Sequence, residues 1–221
     1  SSSGFLGTNS DLNANGTNDV VIASSGDMYV AHKQNAGAPI IQLYSGSSWS
    51  DITSNLSTLT AKEYMRIVLD SSGTPYVSFK DETIDKVVVY KCNGSSWDLL
   101  GGVEVSEQLT DNVEAAPSMS IDSSDNIYIT YRSSTNNITT KKYNSSKWIT
   151  VSENYGINVN SSFSYNNPSM EVTNSGDIFV GYKSSSQTNN SNVMVAKNIL
   201  SVVTLENNAS FTLNVSATDP D

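Results

Sequence analysis

The sequence predicts an all-β chain built from four copies of one unit, each unit a set of four short antiparallel strands. Three observations carry this. Segments ending in a tight turn and an aromatic recur, with the aromatic at Tyr29, Tyr76, Tyr128 and Phe179. Trp49, Trp97 and Trp148 keep the same beat. No segment sustains the 3.6-residue apolar period of an amphipathic helix.

The units are read in chain order. The first runs near residues 18–50 and contains Val20-Val-Ile-Ala-Ser-Ser-Gly-Asp-Met-Tyr29 and Gly46-Ser-Ser-Trp49. The second, near 64–102, divides most cleanly. Strands are expected at Met65–Asp70, Thr74–Lys80, Lys86–Lys91 and Ser96–Leu100, with tight turns at Ser71-Ser-Gly73 and Asn93-Gly94. Gly and Asn tolerate the positive φ that such hairpin turns demand, and β-branched and aromatic residues fill the strands. The third unit, near 116–151, repeats the pattern around Asp122-Ser-Ser-Asp-Asn-Ile-Tyr128 and Trp148. The fourth, near 167–200, offers Pro168–Thr173, Asp177–Lys183 and Asn192–Asn198 but no closing Trp. Thr53–Glu63 reads either as a helical turn or as a polar connection.

Four hairpin-linked strands in a unit of this length are the size of a β-propeller blade. The pattern Asp70-Ser-Ser-Gly73, Tyr76 and Asn93-Gly-Ser-Ser-Trp97 resembles the propeller repeats of bacterial secreted and surface proteins. Gly46-Ser-Ser-Trp49 and Gly94-Ser-Ser-Trp97 resemble the second half of the Asp box of sialidase-type propellers, but Tyr44 and Cys92 stand where the box has its Asp. The resemblance implies a propeller of about four blades over residues 1–202. Ser2-Ser-Gly-Phe-Leu-Gly7 is similar to Ser95–Gly101 without its Trp, so residues 1–7 are expected to close the ring as the outer strand of the fourth blade. Closure leaves no unpaired sheet edge. The tail 203–221 reads as a linker or extra edge strand. It also resembles the first strand of a cadherin-like or immunoglobulin-like module, which implies Asp219 and Asp221 as ligands of an incomplete calcium site. Calcium takes six to eight oxygens, more than these two residues supply. No other cofactor is expected.

Composition narrows the chemistry. The 221 residues include 39 Ser, 25 Asn and 18 Thr, and 22 acids stand against 12 bases for a net charge of −10. An acidic surface repels nucleic acid. No apolar run reaches the roughly 20 residues needed to cross a bilayer, so membrane insertion is not expected. The single His32 and single Cys92 make neither a disulfide framework nor a zinc site of the usual kind. Abundant hydroxyl and amide groups suggest a secreted or cell-surface protein.

One repeated position has chemical meaning. After each second strand comes an aromatic or His and then a base: His32-Lys33, Phe79-Lys80, Tyr131-Arg132 and Tyr182-Lys183. In a ring these cations fall at equivalent places on one face. They would attract an anion such as a uronate or sulfate, with the rings stacking on sugar. The competing reading makes each base an ion-pair partner whose stem packs over an aromatic. Asp81, Glu82 and Asp85 cluster in one loop and are the candidate acids for glycoside chemistry. The expected function is a non-catalytic extracellular binding or adhesion module recognising a glycan or a surface protein. The alternatives are a glycan-cleaving propeller enzyme and a structural spacer or filament subunit. Oligomeric state is left open.

Overall fold

The computed structural model describes residues 18–34, 37–62, 64–105, 117–133, 138–153, 164–185, 191–197 and 201–205. They form four four-stranded antiparallel sheets, each in simple sequential order. The first holds β1 (Asp19–Ile22), β2 (Met28–Lys33), β3 (Pro39–Tyr44) and β4 (Trp49–Asp51). The second holds β5 (Arg66–Leu69), β6 (Pro75–Asp81), β7 (Lys86–Cys92) and β8 (Trp97–Leu99). The third holds β9 (Ser118–Ile121), β10 (Ile127–Arg132), β11 (Ile138–Tyr143) and β12 (Trp148–Glu153). The fourth holds β13 (Ser164–Val172), β14 (Ile178–Ser185), β15 (Ser191–Lys197) and β16 (Ser201–Leu205). The expected fold class is therefore observed. Thr53–Glu63 resolves into a short 3₁₀ turn over Ser54–Thr58 followed by an extended return.

The first strands of successive sheets lie side by side, β1 by β5, β5 by β9 and β9 by β13. They line a common axis, and the sheets radiate from it as blades. Side-chain hydrogen bonds tie this inner row. Asp19 Oδ2 accepts from Ile67 N at 2.9 Å, and Ser118 Oγ accepts from Met170 N at 3.0 Å. Such bonds satisfy inner-strand amides that have no neighbouring strand on that side.

Alternation along each strand gives every blade two apolar faces, and three cores form where blades meet. Ala31 and Ile41 of the first blade pack on Ile67, Val77, Phe79, Val88 and Trp97 of the second. Tyr76, Val87 and Val89 of the second pack on Met119, Ile127, Ile129 and Tyr131 of the third. Tyr128 and Ile138 of the third pack on Met170, Val180 and Tyr182 of the fourth. The repeated Trp is a packing residue with one fixed bond. Trp97 Nε1 donates to Ile52 O at 2.8 Å and Trp148 Nε1 to Leu100 O at 3.3 Å, each reaching the preceding blade's connection.

The hairpin turns at the lower end repeat as well. Gly26, Gly73, Asp125 and Gly176 hold one turn position with φ of 91, 79, 61 and 85°. Asp tolerates this left-handed conformation better than most residues. Asp70 and Asp122 cap their own turns, accepting from the backbone amides of Ser72 and Thr74, and of Ser124 and Asn126. Asp125 accepts from Ser71 N at 2.8 Å and Ser71 Oγ at 2.6 Å across the blade boundary.

Two expectations about the ends change. The outer place in the fourth blade is taken by Ser201–Leu205, which pairs with β15. Residues 1–7, expected at that place, lie outside the described residues. The boundary drawn after residue 202 consequently cuts a strand. The reason is edge satisfaction: the segment directly after β15 reaches that strand's free backbone groups by a short reversal, at less loop-closure entropy than a distant terminus. Asp219 and Asp221 also lie outside the described residues.

Candidate functional site

The second strands end at the upper face, away from the hairpin turns. Lys33 pairs across from Pro39, Lys80 from Val87, Arg132 from Ile138 and Lys183 from Val193. The four bases thus share one register position, and the residues before them share the opposite side of the sheet. That opposite side is buried. Phe79 and Tyr131 are fully buried, and Tyr182 and His32 nearly so. These rings fill the interfaces between blades and present no face to a sugar, which corrects the stacking role expected for them. Packing a large aromatic between sheets buries far more apolar area than leaving it at the rim.

The cations are not equivalent in environment. Lys80 is 2% exposed, and its Nζ lies 2.7 Å from Asp85 Oδ1. Its charge is satisfied inside its own blade and is not offered to solvent. Lys33 and Arg132 are half-buried. His32 sits with both ring nitrogens unbonded among the described residues. Burial pushes its pKa down from 6.5, partly offset by the nearby Lys33 backbone and the Asp51 charge.

The upper end of the second blade carries several reactive groups. The return segment docks on the end of β6, with Lys62 N donating to Lys80 O and Glu82 N to Thr60 O, both at 2.8 Å. This buries Asp81 to 4% exposure, and its Oδ1 accepts from Thr83 N at 2.8 Å. Glu82 remains exposed. Tyr64 leads into the inner strand with φ of 74°. A bulky aromatic in the left-handed region stores strain, a feature that concentrates at functional sites. Arg66 opens β5 beside the axis, half-buried, with Nη1 donating to Met65 O at 3.1 Å. Asp19 opens the neighbouring inner strand. Asp19, Tyr64 and Arg66 thus stand at the starts of two neighbouring inner strands, and Asp81, Glu82 and Asp85 stand at the end of β6 and in the loop after it, all toward the upper end. Such a set offers proton donors and acceptors for cleaving a glycosidic bond, and a cation to orient an anionic sugar.

Sequence reasoning reached Lys80, Asp81, Glu82 and Asp85 but missed Asp19, Tyr64 and Arg66. Asp19 and Arg66 carry a faint signal, since each begins an inner strand. Nothing in the sequence marks the backbone of Tyr64. Among the described residues no group of three or more His, Cys, Asp or Glu is placed to hold a metal ion.

No protein-family model matches the chain, and no curated protein sequence matches it. Solved structures do. An ulvan lyase of polysaccharide lyase family PL25, bound to a glucuronate–sulfated rhamnose glycan, superposes with a TM-score of 0.60 at 13% identity over 86% of this chain. The α-L-arabinanase of Penicillium chrysogenum, complexed with arabinobiose, gives 0.61 at 12% identity over 88%. The GH93 α-L-arabinofuranosidase of Fusarium graminearum gives 0.60 at 10% identity over 87%. The chain spans 57% of the lyase's length and 67% of that of each of the other two. At these identities the likeness establishes the β-propeller fold. It also turns the reading away from the expected non-catalytic adhesion module, because these three structures are of glycan-cleaving enzymes.

Proposed function

We propose that this chain is the propeller of a secreted enzyme that cleaves glycosidic bonds in a polysaccharide, with its reacting groups at the upper end of the second blade. The observation that carries the reading is the shared arrangement of blades with three glycan-cleaving enzymes. The placement of Asp19, Tyr64 and Arg66 at the starts of two neighbouring inner strands, with Asp81 and Asp85 at the same end of the second blade, supports it. Arg66 is the group suited to orient a uronate or sulfate, since a guanidinium fork matches a planar or tetrahedral oxyanion. Tyr64 and the carboxylates are the candidate proton-transfer groups.

The test is incubation with ulvan and with arabinan, reading new reducing ends and, separately, the ultraviolet absorbance of unsaturated ends. Reducing ends alone indicate hydrolysis; both signals together indicate elimination. Arg66→Gln and Tyr64→Phe are each expected to lower the rate by about 10²-fold or more, the scale of one lost transition-state contact. Folded protein that releases neither kind of end from either polymer, or variants with unchanged rates, would overturn the proposal.

A further inference from the structure

The lower end of the molecule carries a feature that the upper-end chemistry does not use. A cleft of about 640 Å³ opens between the first and second blades. Tyr29, Leu43 and Ile52 line it from the first blade, and Pro75 and Cys92 from the second. Its rim is hydroxyl- and amide-rich, with Ser72, Thr74, Asn93, Ser95 and Ser96, and Asp51 adds one carboxylate.

The repeat explains why the cleft is here. Between the second and third blades the same slot is filled. Tyr143 packs into that interface, Lys91 lies over the Tyr76 ring at 5.3 Å, and Tyr76 Oη donates to Asp70 at 3.3 Å. The Ser71–Asp125 bonds clasp the turns. Between the third and fourth blades, Lys142 lies over Tyr128 at 5.0 Å, Tyr128 Oη donates to Asp122 at 3.1 Å, and Ser123 Oγ donates to Asn174 O.

The first interface departs at every one of these positions. Cys92 pairs with Trp97 as Tyr143 pairs with Trp148, so a thiol stands where a phenol ring fills the neighbouring slot. Leu43 stands opposite Tyr29 where lysines stand opposite Tyr76 and Tyr128. Ala23 replaces the turn Asp, and Gly73 replaces the clasping Asp125. Four independent changes at one boundary each remove filler, lid, hydroxyl partner or clasp. The result is an uncovered Tyr29 ring on the floor of a polar-rimmed trough.

We propose that this trough is a carbohydrate-binding subsite for a neutral, hydroxyl-rich saccharide, separate from the upper end. The Tyr29 ring would take the apolar face of a pyranose or furanose, and the rim would meet its hydroxyls. The charge present selects the ligand class. Lys91 also contributes to the lining, but its Nζ lies over the Tyr76 ring at 5.3 Å, and Asp51 adds a carboxylate to the rim, so no unpaired cation dominates the trough. Uronates and sulfated sugars are therefore disfavoured.

The test is titration of the whole chain with neutral arabino-, xylo- and galacto-oligosaccharides, with oligogalacturonate as the charged control, followed by isothermal calorimetry. Saturable binding of at least one neutral series, and none of the uronate, is expected. Cys92→Tyr and Leu43→Lys restore the residues of the sister blades and should each weaken that binding at least tenfold. Neither substitution touches the upper-end groups. Absence of neutral-sugar binding, or binding unchanged in both variants, overturns the proposal. Thermal unfolding within a few degrees of the parent confirms that a loss reflects the filled trough and not a misfolded blade.

Discussion

The buried ion pair at the upper end allows a quantitative test. Lys80 and Asp85 lie 2.7 Å apart, with side chains 3% and 23% exposed. Asp85→Asn keeps the shape of the side chain but leaves the Lys80 ammonium without its counter-charge. Removing one partner of a fully buried pair costs about 3–5 kcal/mol. Asp85 keeps roughly a quarter of its surface in water, so solvent screens part of the interaction, and the expected loss is about 2–3 kcal/mol. For a chain of this size, 1 kcal/mol moves the melting temperature by about 2–4 °C, so the variant should melt about 4–12 °C lower. Lys80→Met in the same background removes the stranded charge while its thioether fills the channel of the lysine stem. That double variant should recover to within about 1 kcal/mol of the parent, because an apolar isostere of a buried pair is near neutral. Urea unfolding of the parent, both singles and the double closes the cycle. Asp85→Asn within 1 °C of the parent, or a double variant no more stable than Asp85→Asn, would refute the claim that this charge is buried and internally satisfied.

Two pH-dependent contributions follow from burial and hydrogen bonding. Desolvation holds His32 below 6.5 in the folded protein, so the unfolded chain binds the extra proton and stability falls as pH drops through 6.5. His32→Phe, the residue of the second blade, should flatten that limb and add about 1 kcal/mol by removing two unbonded ring nitrogens; an unchanged limb in stability-against-pH curves sinks the assignment. Burial acts to raise the Asp122 pKa, but hydrogen bonds from the Asn126 side chain and amide, the Ser124 amide and the Tyr128 hydroxyl hold it below 3.8. Its contribution is therefore present above 3.8 and lost as pH falls through the lower folded value. Asp122→Asn should cost about 1 kcal/mol at neutral pH and leave a shallower acid limb; an acid limb identical to the parent's would count against these bonds.

The sequence by itself determined the class and the count of sheets. Strand formation is local: β-branched runs, two-fold alternation and turns such as Ser71-Ser-Gly73 act within a few residues, and repetition multiplies a local signal into a global one. Trp97 and Trp148 were readable as packing residues for the same reason, because a role present in several units is usually structural. The outer edge of the fourth blade belongs to Ser201–Leu205 because the segment that follows β15 reaches it by a short reversal, and no local pattern records that. The tertiary structure alone decided what each face meets. Phe79, Tyr131 and Tyr182 look like rim aromatics in the repeat, yet two-fold alternation buries all three where blades meet. Cys92 reads as an inert thiol in the chain. Its consequence, an open trough above Tyr29, exists only because a neighbouring sheet lies at the distance a tyrosine would have spanned.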